Sequence, residues 1–290
     1  MTIPIRKRYS VPLPNGATLA LGGRTLVMGT INVTPDSFAD GGARFDCAPA
    51  IADGLRMIED GADILDVGGE STRPGAKPLP ADEELRRVLP VVEQLAADGR
   101  VPVSIDTYKA SVARAAVARG ALIVNDISGL AYDPELAQTI AETRAAVVLM
   151  HNRGRSREMY REAVYHNVIE EISEELESTI AIAVAAGVSR EAIVIDPGLG
   201  FAKRPEHTYE ALARLDALAA LDRPILSGPS RKSFLKAALG EVPPAERDWG
   251  TAAAVAASVL LGAHIVRIHD VRGMVDVVRV ADRIRDGIRF

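Results

Sequence analysis

The sequence predicts an α/β fold, a single (β/α)8 TIM barrel whose N-terminal end is closed by a short β-hairpin. The chain has 290 residues, a length that one such barrel commonly needs. Short runs of β-branched and aliphatic residues recur eight times, and they are nearly all apolar, as in strands buried on both faces of a parallel sheet. Amphipathic stretches of helical period lie between the runs. The eight predicted strands are 26–31, 63–67, 101–105, 121–124, 145–150, 192–195, 224–226 and 264–268.

Helices are expected between these strands, and a hairpin is expected before the first one. Residues 17–28 fit a hairpin turned by Gly22 and Gly23, which would close the bottom of the barrel. We therefore divide the chain into an N-terminal extension with the hairpin, 1–25, and the barrel, 26–290. The clearest helical stretches are 81–97, 111–119, 167–186, 208–218 and 275–288.

The main alternative fold is an open doubly wound sheet. That fold usually has a glycine-rich phosphate loop after its first strand, and residues 29–36 are not such a loop. Gly198 and Gly200 match the start of a GxGxxG motif, but Lys203 stands where the third glycine belongs. The barrel is therefore the favoured fold.

Composition and charge exclude several classes of protein. The chain is 48% hydrophobic and 25% charged, which is enough apolar material for a large core. A net charge of −5 argues against a general nucleic-acid binder. Cys47 is the single cysteine, so we expect no intramolecular disulfide and a reducing, cytoplasmic location. The charge-free segment 249–266 is interpreted as a buried helix, 251–261, followed by a strand, so no membrane span is expected.

Polar residues follow almost every predicted strand. The carboxyl ends of barrel strands meet at one rim, where barrel enzymes have their active sites. Asp106, Asn125 and Asp196 would offer acceptors and an amide to a flat heterocycle with several N–H donors. Asp126 also ends strand four, and it could either belong to this rim site or simply begin a turn.

The last two strands supply cationic groups to the same rim. Lys232, Arg267 and His269 follow strands seven and eight, where barrels often bind phosphate. Asn32 ends strand one, and an amide oxygen can bind a hard cation when phosphate and water supply the other ligands. We therefore expect an anionic substrate and a cation at this rim.

Two loops on this rim are long. Residues 32–46 and 68–80 are rich in Gly, Pro and Asp and follow strands one and two. Long ordered loops at a barrel mouth commonly act as lids. Phe38 gives the first loop an apolar group that can cover a ligand.

Seven motifs occur along the chain in a defined order. The first is Asn-Val-Thr-Pro-Asp-Ser-Phe at 32–38 with Asp-Gly-Gly at 40–42, and the second, 61–75, ends in Gly-Gly-Glu-Ser-Thr-Arg-Pro-Gly. The other five are 104–107, 125–127, 196–201, 230–233 and 267–270. In sequence and order these motifs resemble the dihydropteroate synthase family over residues 26–280.

The resemblance implies a transferase of folate biosynthesis. Members join p-aminobenzoate to 6-hydroxymethyl-7,8-dihydropterin diphosphate, which gives 7,8-dihydropteroate and pyrophosphate. The resemblance also implies Mg2+ as cofactor, sulfonamides as inhibitors and a homodimer.

The resemblance further implies a role for each rim residue. The residues expected to bind the pterin are Asp106, Asn125, Asp196, Lys232 and Arg267. Those expected to bind the diphosphate are Asn32, Arg267 and His269, with the metal at Asn32. The p-aminobenzoate site is expected to include Thr72, Arg73, Pro74, Phe201 and Ser230.

Asp106 and Lys232 are the expected catalytic residues. Positive charge builds on the pterin methylene as diphosphate leaves, and the Asp106 carboxylate could stabilise it. No nucleophile–base pair stands out in the sequence, so we expect a dissociative path without a covalent enzyme intermediate.

One segment departs from the family pattern, and two other functions compete. Many members have Met-Gln after the fifth-strand histidine, whereas residues 151–154 here are His-Asn-Arg-Gly. A methyltetrahydrofolate:corrinoid methyltransferase would share the pterin-binding acids but would not need the 230–232 motif or the two loops. A non-catalytic pterin-binding paralogue is expected to have lost parts of those loops.

Overall fold

Eight parallel strands form a barrel in the computed structural model, which describes residues 3–33, 47–71, 78–155, 160–161 and 163–287. Each strand pairs with the next along the chain, and the last pairs with the first. The ring closes between its sixth and seventh strands through a bridge from Ile195 to Ile225. All eight predicted strands are confirmed. They are β3 (Leu26–Asn32), β4 (Ile64–Gly68), β5 (Val103–Asp106), β6 (Ile123–Asp126), β7 (Ala146–Met150), β8 (Ile193–Asp196), β9 (Leu226–Ser227) and β10 (Ile265–Ile268).

Helices surround the barrel, and one differs from its prediction. The expected helix 208–218 is wrong at its end, because α6 stops at Ala213 and Leu215–Leu221 form a 3-10 helix. Leu215, Leu218 and Leu221 are all buried, and their spacing of three places them on one face of a 3-10 helix. The described helices are α1 (Ala48–Glu59), α2 (Ala81–Asp98), α3 (Ala110–Ala118), α4 (Leu136–Thr143), α5 (Val168–Ala185), α6 (Pro205–Ala213), α7 (Lys236–Leu239), α8 (Asp248–Leu260) and α9 (Val271–Gly287).

Alternate residues of each strand enter two different cores. On β3, Val27 and Ile31 belong to the large core between the strands and the helices. Leu26 and Met28 instead belong to a smaller core inside the barrel. Because both faces are buried in apolar surroundings, the strands are almost continuously apolar in sequence.

The N-terminal hairpin closes the bottom of the barrel, as predicted. Its strands β1 (Tyr9–Pro12) and β2 (Thr18–Leu21) are antiparallel. Side chains of the hairpin, including Val11 and Leu21, pack in the same core as the lower interior of the barrel. This packing seals the amino-terminal end and leaves the opposite end for the site.

The predicted position of the hairpin, 17–28 with a turn at Gly22 and Gly23, is wrong. The turn lies at Asn15 and Gly16, where Gly16 has φ +82° and Leu13 N donates to Ala17 O at 2.9 Å. Gly22 serves a different purpose, since a Cβ there would lie 2.3 Å from the Lys7 carbonyl oxygen. This glycine allows the N-terminal segment to cross close to the backbone after β2.

The charge-free segment 249–266 divides between α8 and β10, as predicted. Among the helices that the structure describes, none combines the length and the apolar character needed to cross a membrane. One face of α8, including Thr251, Val255 and Val259, is buried against the rest of the fold.

Candidate active site

Polar side chains occupy the inside of the barrel near the carboxyl ends of the strands. They continue the alternation of the interior core: Ile64 faces inward on β4, and Asp66 follows it by two residues. On β10, Ile265 precedes Arg267 in the same way. The charged and amide side chains that face inward include Asp66, Asp106, Asn125, Asp196 and Arg267.

Arg267 joins two carboxylates from neighbouring strands. Its Nε donates to Oδ2 of Asp66 at 2.6 Å, and its Nη2 donates to Oδ2 of Asp106 at 2.7 Å. Nδ2 of Asn125 donates to the same Asp66 oxygen at 2.9 Å. Burial disfavours the guanidinium charge, but the two carboxylates outweigh burial and raise the pKa of Arg267. The two charge-assisted hydrogen bonds fix the orientation of the guanidinium plane.

Asp106 is an acid whose pKa is raised by its surroundings. Its side chain is 9% exposed. Burial raises the pKa of Asp106 to about 7, with Arg267 opposing the rise and the Asp66 carboxylate adding to it. Two acidic side chains share one guanidinium here. Above the pKa of Asp106 the group therefore gains negative charge, which suits stabilisation of a cation.

A second charged pair comes from Asp196 at the end of β8 and Lys232 after β9. Oδ1 of Asp196 accepts from the Gly198 amide at 2.7 Å. Nζ of Lys232 donates to the Leu199 carbonyl at 2.5 Å and lies 4.5 Å from the centroid of the Phe201 ring. Burial lowers the pKa of Lys232 to about 8, and the Asp196 carboxylate limits the fall. Burial also raises the pKa of Asp196, and Lys232 limits that rise.

Ser230 and His269 lie together just after β9 and β10. Oγ of Ser230 accepts from the His269 amide at 3.1 Å and lies 2.9 Å from Nδ1 of the ring. The next residue, Arg231, has φ +56° and turns its side chain toward α8, where it pairs with Asp248 at 2.7 and 2.8 Å. This ion pair anchors the loop between Ser230 and Lys232.

Comparison with known proteins identifies the family. Residues 28–269 match the pterin binding enzyme family. The chain is 43% identical over 277 residues to dihydropteroate synthase of Synechocystis sp., covering 95% of this chain and 96% of that protein. The chain belongs to the dihydropteroate synthase family.

Two solved structures of this family superpose closely. The Xanthomonas albilineans dihydropteroate synthase with 4-aminobenzoic acid is 42% identical, with a TM-score of 0.87 over 95% of this chain and 98% of that one. The Yersinia pestis dihydropteroate synthase in a sulfonamide drug complex is 39% identical, with a TM-score of 0.89 over 96% of this chain and 99% of that one. The fold prediction and the family resemblance are both confirmed.

Within this dihydropteroate synthase fold, most predicted site residues meet at the rim. Arg267 links Asp106 and, through Asp66, Asn125. Lys232 lies near Phe201, and Ser230 contacts His269. Asn32 is exposed at the end of β3 and lies opposite Gly68 of β4. Gly68 in turn lies opposite Asp106 of β5. The predicted residues Thr72, Arg73 and Pro74 lie outside the described residues, as does Phe38.

Sequence reasoning assigned no role to Asp66 or Lys203. Asp66 is completely buried and accepts from both Arg267 and Asn125. Counting alternate residues from the apolar interior of β4 would have placed it on the inward face. Lys203 is also buried, against His151, and no local signal in the sequence predicted that contact.

Asp126 forms a turn. Its Oδ1 accepts from the Ser128 amide at 2.8 Å and from Ser128 Oγ at 2.6 Å, and its Oδ2 accepts from the Leu130 amide at 2.6 Å. Of the two readings left open for this residue, the turn is therefore correct. Its neighbour Asn125 faces inward and contacts Asp66.

Proposed function

We propose that this chain joins p-aminobenzoate to 6-hydroxymethyl-7,8-dihydropterin diphosphate, with release of pyrophosphate and 7,8-dihydropteroate. Membership of the dihydropteroate synthase family supports this proposal. The observation that carries it is Arg267, a half-buried cation oriented by Asp66 and Asp106 at the barrel mouth. A diphosphate substrate with a reactive methylene needs a cation and a carboxylate close together, and this arrangement supplies both.

The pterin would be bound by groups of complementary hydrogen-bonding character. The Asp196 carboxylate offers acceptors for the paired N–H groups of the aminopyrimidine edge. Asn125 adds an amide, and the Lys232 ammonium suits the ring carbonyl. Because Asp196 is buried and Lys232 is half-buried, water screens their interactions with a bound ring only in part.

The diphosphate would be held by Arg267, His269 and Asn32. Asn32 presents an exposed amide at the end of β3, and hard cations accept amide oxygens as ligands. In the part of the chain that the structure describes, no cluster of three His, Cys, Asp or Glu residues could hold a metal. The donors available therefore fit Mg2+ with one protein ligand and the rest from phosphate and water. When bound there, Mg2+ would neutralise charge on the leaving pyrophosphate.

The arylamine would lie beside Phe201 and Ser230, and Thr72, Arg73 and Pro74 are its other proposed contacts. The Xanthomonas albilineans relative was solved with 4-aminobenzoic acid, and the Yersinia pestis relative with a sulfonamide drug. We infer that both kinds of molecule compete for this subsite here.

The chemical step is a substitution at the pterin methylene. The C–O bond to the diphosphate breaks, and its electron pair leaves with pyrophosphate. The lone pair of the arylamine nitrogen then forms the new C–N bond, and the nitrogen loses a proton to water. Asp106 would stabilise the positive charge on the methylene carbon, and Lys232 would orient the ring, with no covalent enzyme intermediate.

Pyrophosphate release by the purified protein tests this proposal. The complete assay contains the dihydropterin diphosphate, Mg2+ and p-aminobenzoate, and the metal and the arylamine are each omitted in turn. We expect release to depend on both, with an equal amount of dihydropteroate. Pterin binding without release would contradict the proposal and favour the non-catalytic paralogue.

We also propose a homodimer formed through α8 and α9, two helices that pack against each other. Large apolar side chains on them face outward: Trp249 is 88% exposed, Val280 61% and Ile284 49%. A second copy of the chain would cover this surface. Sedimentation should give twice the chain mass for the wild type and a lower mass for Trp249→Glu, and a monomeric wild type would refute the proposal.

We place the protein in the reducing cytoplasm, where its one cysteine would stay a thiol. Cys47 is free and half-buried, and a lone cysteine has no intramolecular partner for a disulfide. Fractionation of the source cells with an antibody to the chain tests this location, and recovery outside the cytoplasm would contradict it.

A further inference from the structure

The turn after β8 is strained and tightly packed. Gly198 and Gly200 have φ +66° and +78°, and Ala202, which is not a glycine, has φ +46°. A Cβ on Gly198 would lie 2.0 Å from the carbonyl oxygen of His151 at the end of β7. Left-handed backbone is unfavourable at a residue that has a side chain. The 198–202 turn therefore needs interactions that hold it in this shape.

Lys203 supplies such interactions from inside the protein. It is 1% exposed, and its Nζ lies 2.7 Å from Nδ1 of His151. The same Nζ donates to the carbonyl oxygens of Gly198 at 3.2 Å and Phe201 at 3.1 Å. No carboxylate of the described residues forms an ion pair with it. Burial lowers the pKa of Lys203 well below its usual value, and the Asp196 carboxylate opposes this fall. The amine thus has three polar neighbours that fix its position.

His151 has the tautomer that this arrangement requires. Its Nε2 lies 3.1 Å from Oε2 of Glu175 and must donate there, since a carboxylate only accepts. Nδ1 is then an acceptor for Lys203. Burial and the Lys203 charge lower the pKa of His151 to about 4, so the ring stays neutral. Arg153 donates from Nε to Glu175 at 3.0 Å and holds that carboxylate in place.

The turn touches both proposed subsites. The Gly198 amide fixes Asp196, the proposed pterin acceptor. The Leu199 carbonyl accepts from Lys232, and the Phe201 ring lies beside the same ammonium. A shift of this turn would therefore move two groups together: Asp196, the proposed pterin acceptor, and the Phe201 ring beside the proposed arylamine subsite.

We propose that Lys203 is a positioning residue for both substrates, because it holds the 198–202 turn against His151. This inference rests on the proposed synthase function. It also assigns a role to the variant segment 151–154. His151 contacts Lys203 directly, and Arg153 holds the Glu175 carboxylate that orients the His151 ring. Lys203 does not contact the reacting atoms and acts through Asp196 and Phe201.

Steady-state kinetics of Lys203→Met tests the proposal. Rates are expressed per folded molecule, with the folded fraction taken from a urea unfolding curve. We expect KM for p-aminobenzoate and KM for the pterin diphosphate to rise together, about tenfold or more, with a smaller fall in kcat. Lys7→Met is the matched control, because Lys7 pairs with exposed Asp222 near the bottom of the barrel; both of its KM values should be unchanged.

A purely structural lysine would give a different result. Lys203→Met would then unfold at lower urea, while both KM values per folded molecule stayed within twofold of the wild type, and this outcome would overturn the proposal. Should Lys203→Met leave too little folded protein, His151→Leu removes one of the three acceptors. It should raise the same two KM values by a smaller factor, and unchanged values would again refute the idea. A wild type that releases no pyrophosphate would instead refute the synthase function.

Discussion

The two ends of the barrel interior are built from the same strands but have opposite chemistry. At the amino-terminal end, Ile64 and Ile265 pack with Leu21 of the hairpin in an apolar core. Two residues further along the same inward faces stand Asp66 and Arg267, joined at 2.6 Å. The change from hydrocarbon to ion pair therefore happens within two residues of each strand.

The difference shows where a barrel can tolerate buried charge. An unpaired buried charge is costly, so charged side chains enter an interior only with partners. At the bottom of the interior, the hairpin packs against hydrocarbon side chains. At the top, the carboxylates are compensated by Arg267 and Lys232.

Arg267→Met should lower both stability and activity, because it removes the cation at the upper end of the barrel interior. It leaves Asp66 and Asp106 buried without their cation, which should cost about 3 kcal/mol in the free energy of unfolding. Pyrophosphate release should fall about 1,000-fold, since the variant lacks the cation that we propose binds the diphosphate. Urea unfolding and the release assay measure the two effects. Arg279→Met removes an exposed pair with Asp276 and serves as control; equal losses in both variants would contradict the special role of Arg267.

Leu21→Ala should lower stability alone, because it changes only the apolar lower end of the barrel interior. Leu21 is 2% exposed in the interior core, and truncation of a buried leucine costs about 2–5 kcal/mol. We expect lower stability by urea unfolding with kcat per folded molecule unchanged. A tenfold fall in kcat would mean that the two ends are not independent.

Asp106→Asn tests the negative charge at the rim without changing the size of the side chain. Asparagine occupies the same space, but it cannot stabilise a cation with a full negative charge. We expect kcat to fall about 100-fold with little change in KM. A rise in KM with unchanged kcat would show that Asp106 only binds substrate.

The pH dependence of kcat/KM tests the charge states of Asp106 and Lys232 at the upper end of the barrel interior. The raised pKa of Asp106, about 7, means that its carboxylate form predominates above pH 7. The lowered pKa of Lys232, about 8, means that its ammonium form predominates below pH 8. We expect kcat/KM to be greatest between these values and to fall about tenfold per pH unit on either side. Asp106→Asn should lose the acidic limb, and a wild-type profile flat from pH 6 to 9 would refute this assignment.

Local sequence features determined the architecture and which polar residues lie at the rim. Eight apolar runs with helices between them specify strands buried on both faces, and the barrel then brings their carboxyl ends to one rim. Asp106, Asn125, Asp196, Lys232 and Arg267 were predictable for this reason, because each follows or ends a strand. The family motifs pointed to the same residues.

Only the tertiary structure decided which of these groups are paired. Arg267 meets Asp66 across 201 residues of sequence, and Lys203 meets His151 across 52. The hairpin turn at Asn15 and Gly16, and the 3-10 helix after Ala213, likewise differ from what periodicity suggested. Periodicity reports which face of an element is buried, but it contains no information about the partner on the other side. Partners are chosen by barrel closure, because closure sets which side chains meet in the space that remains.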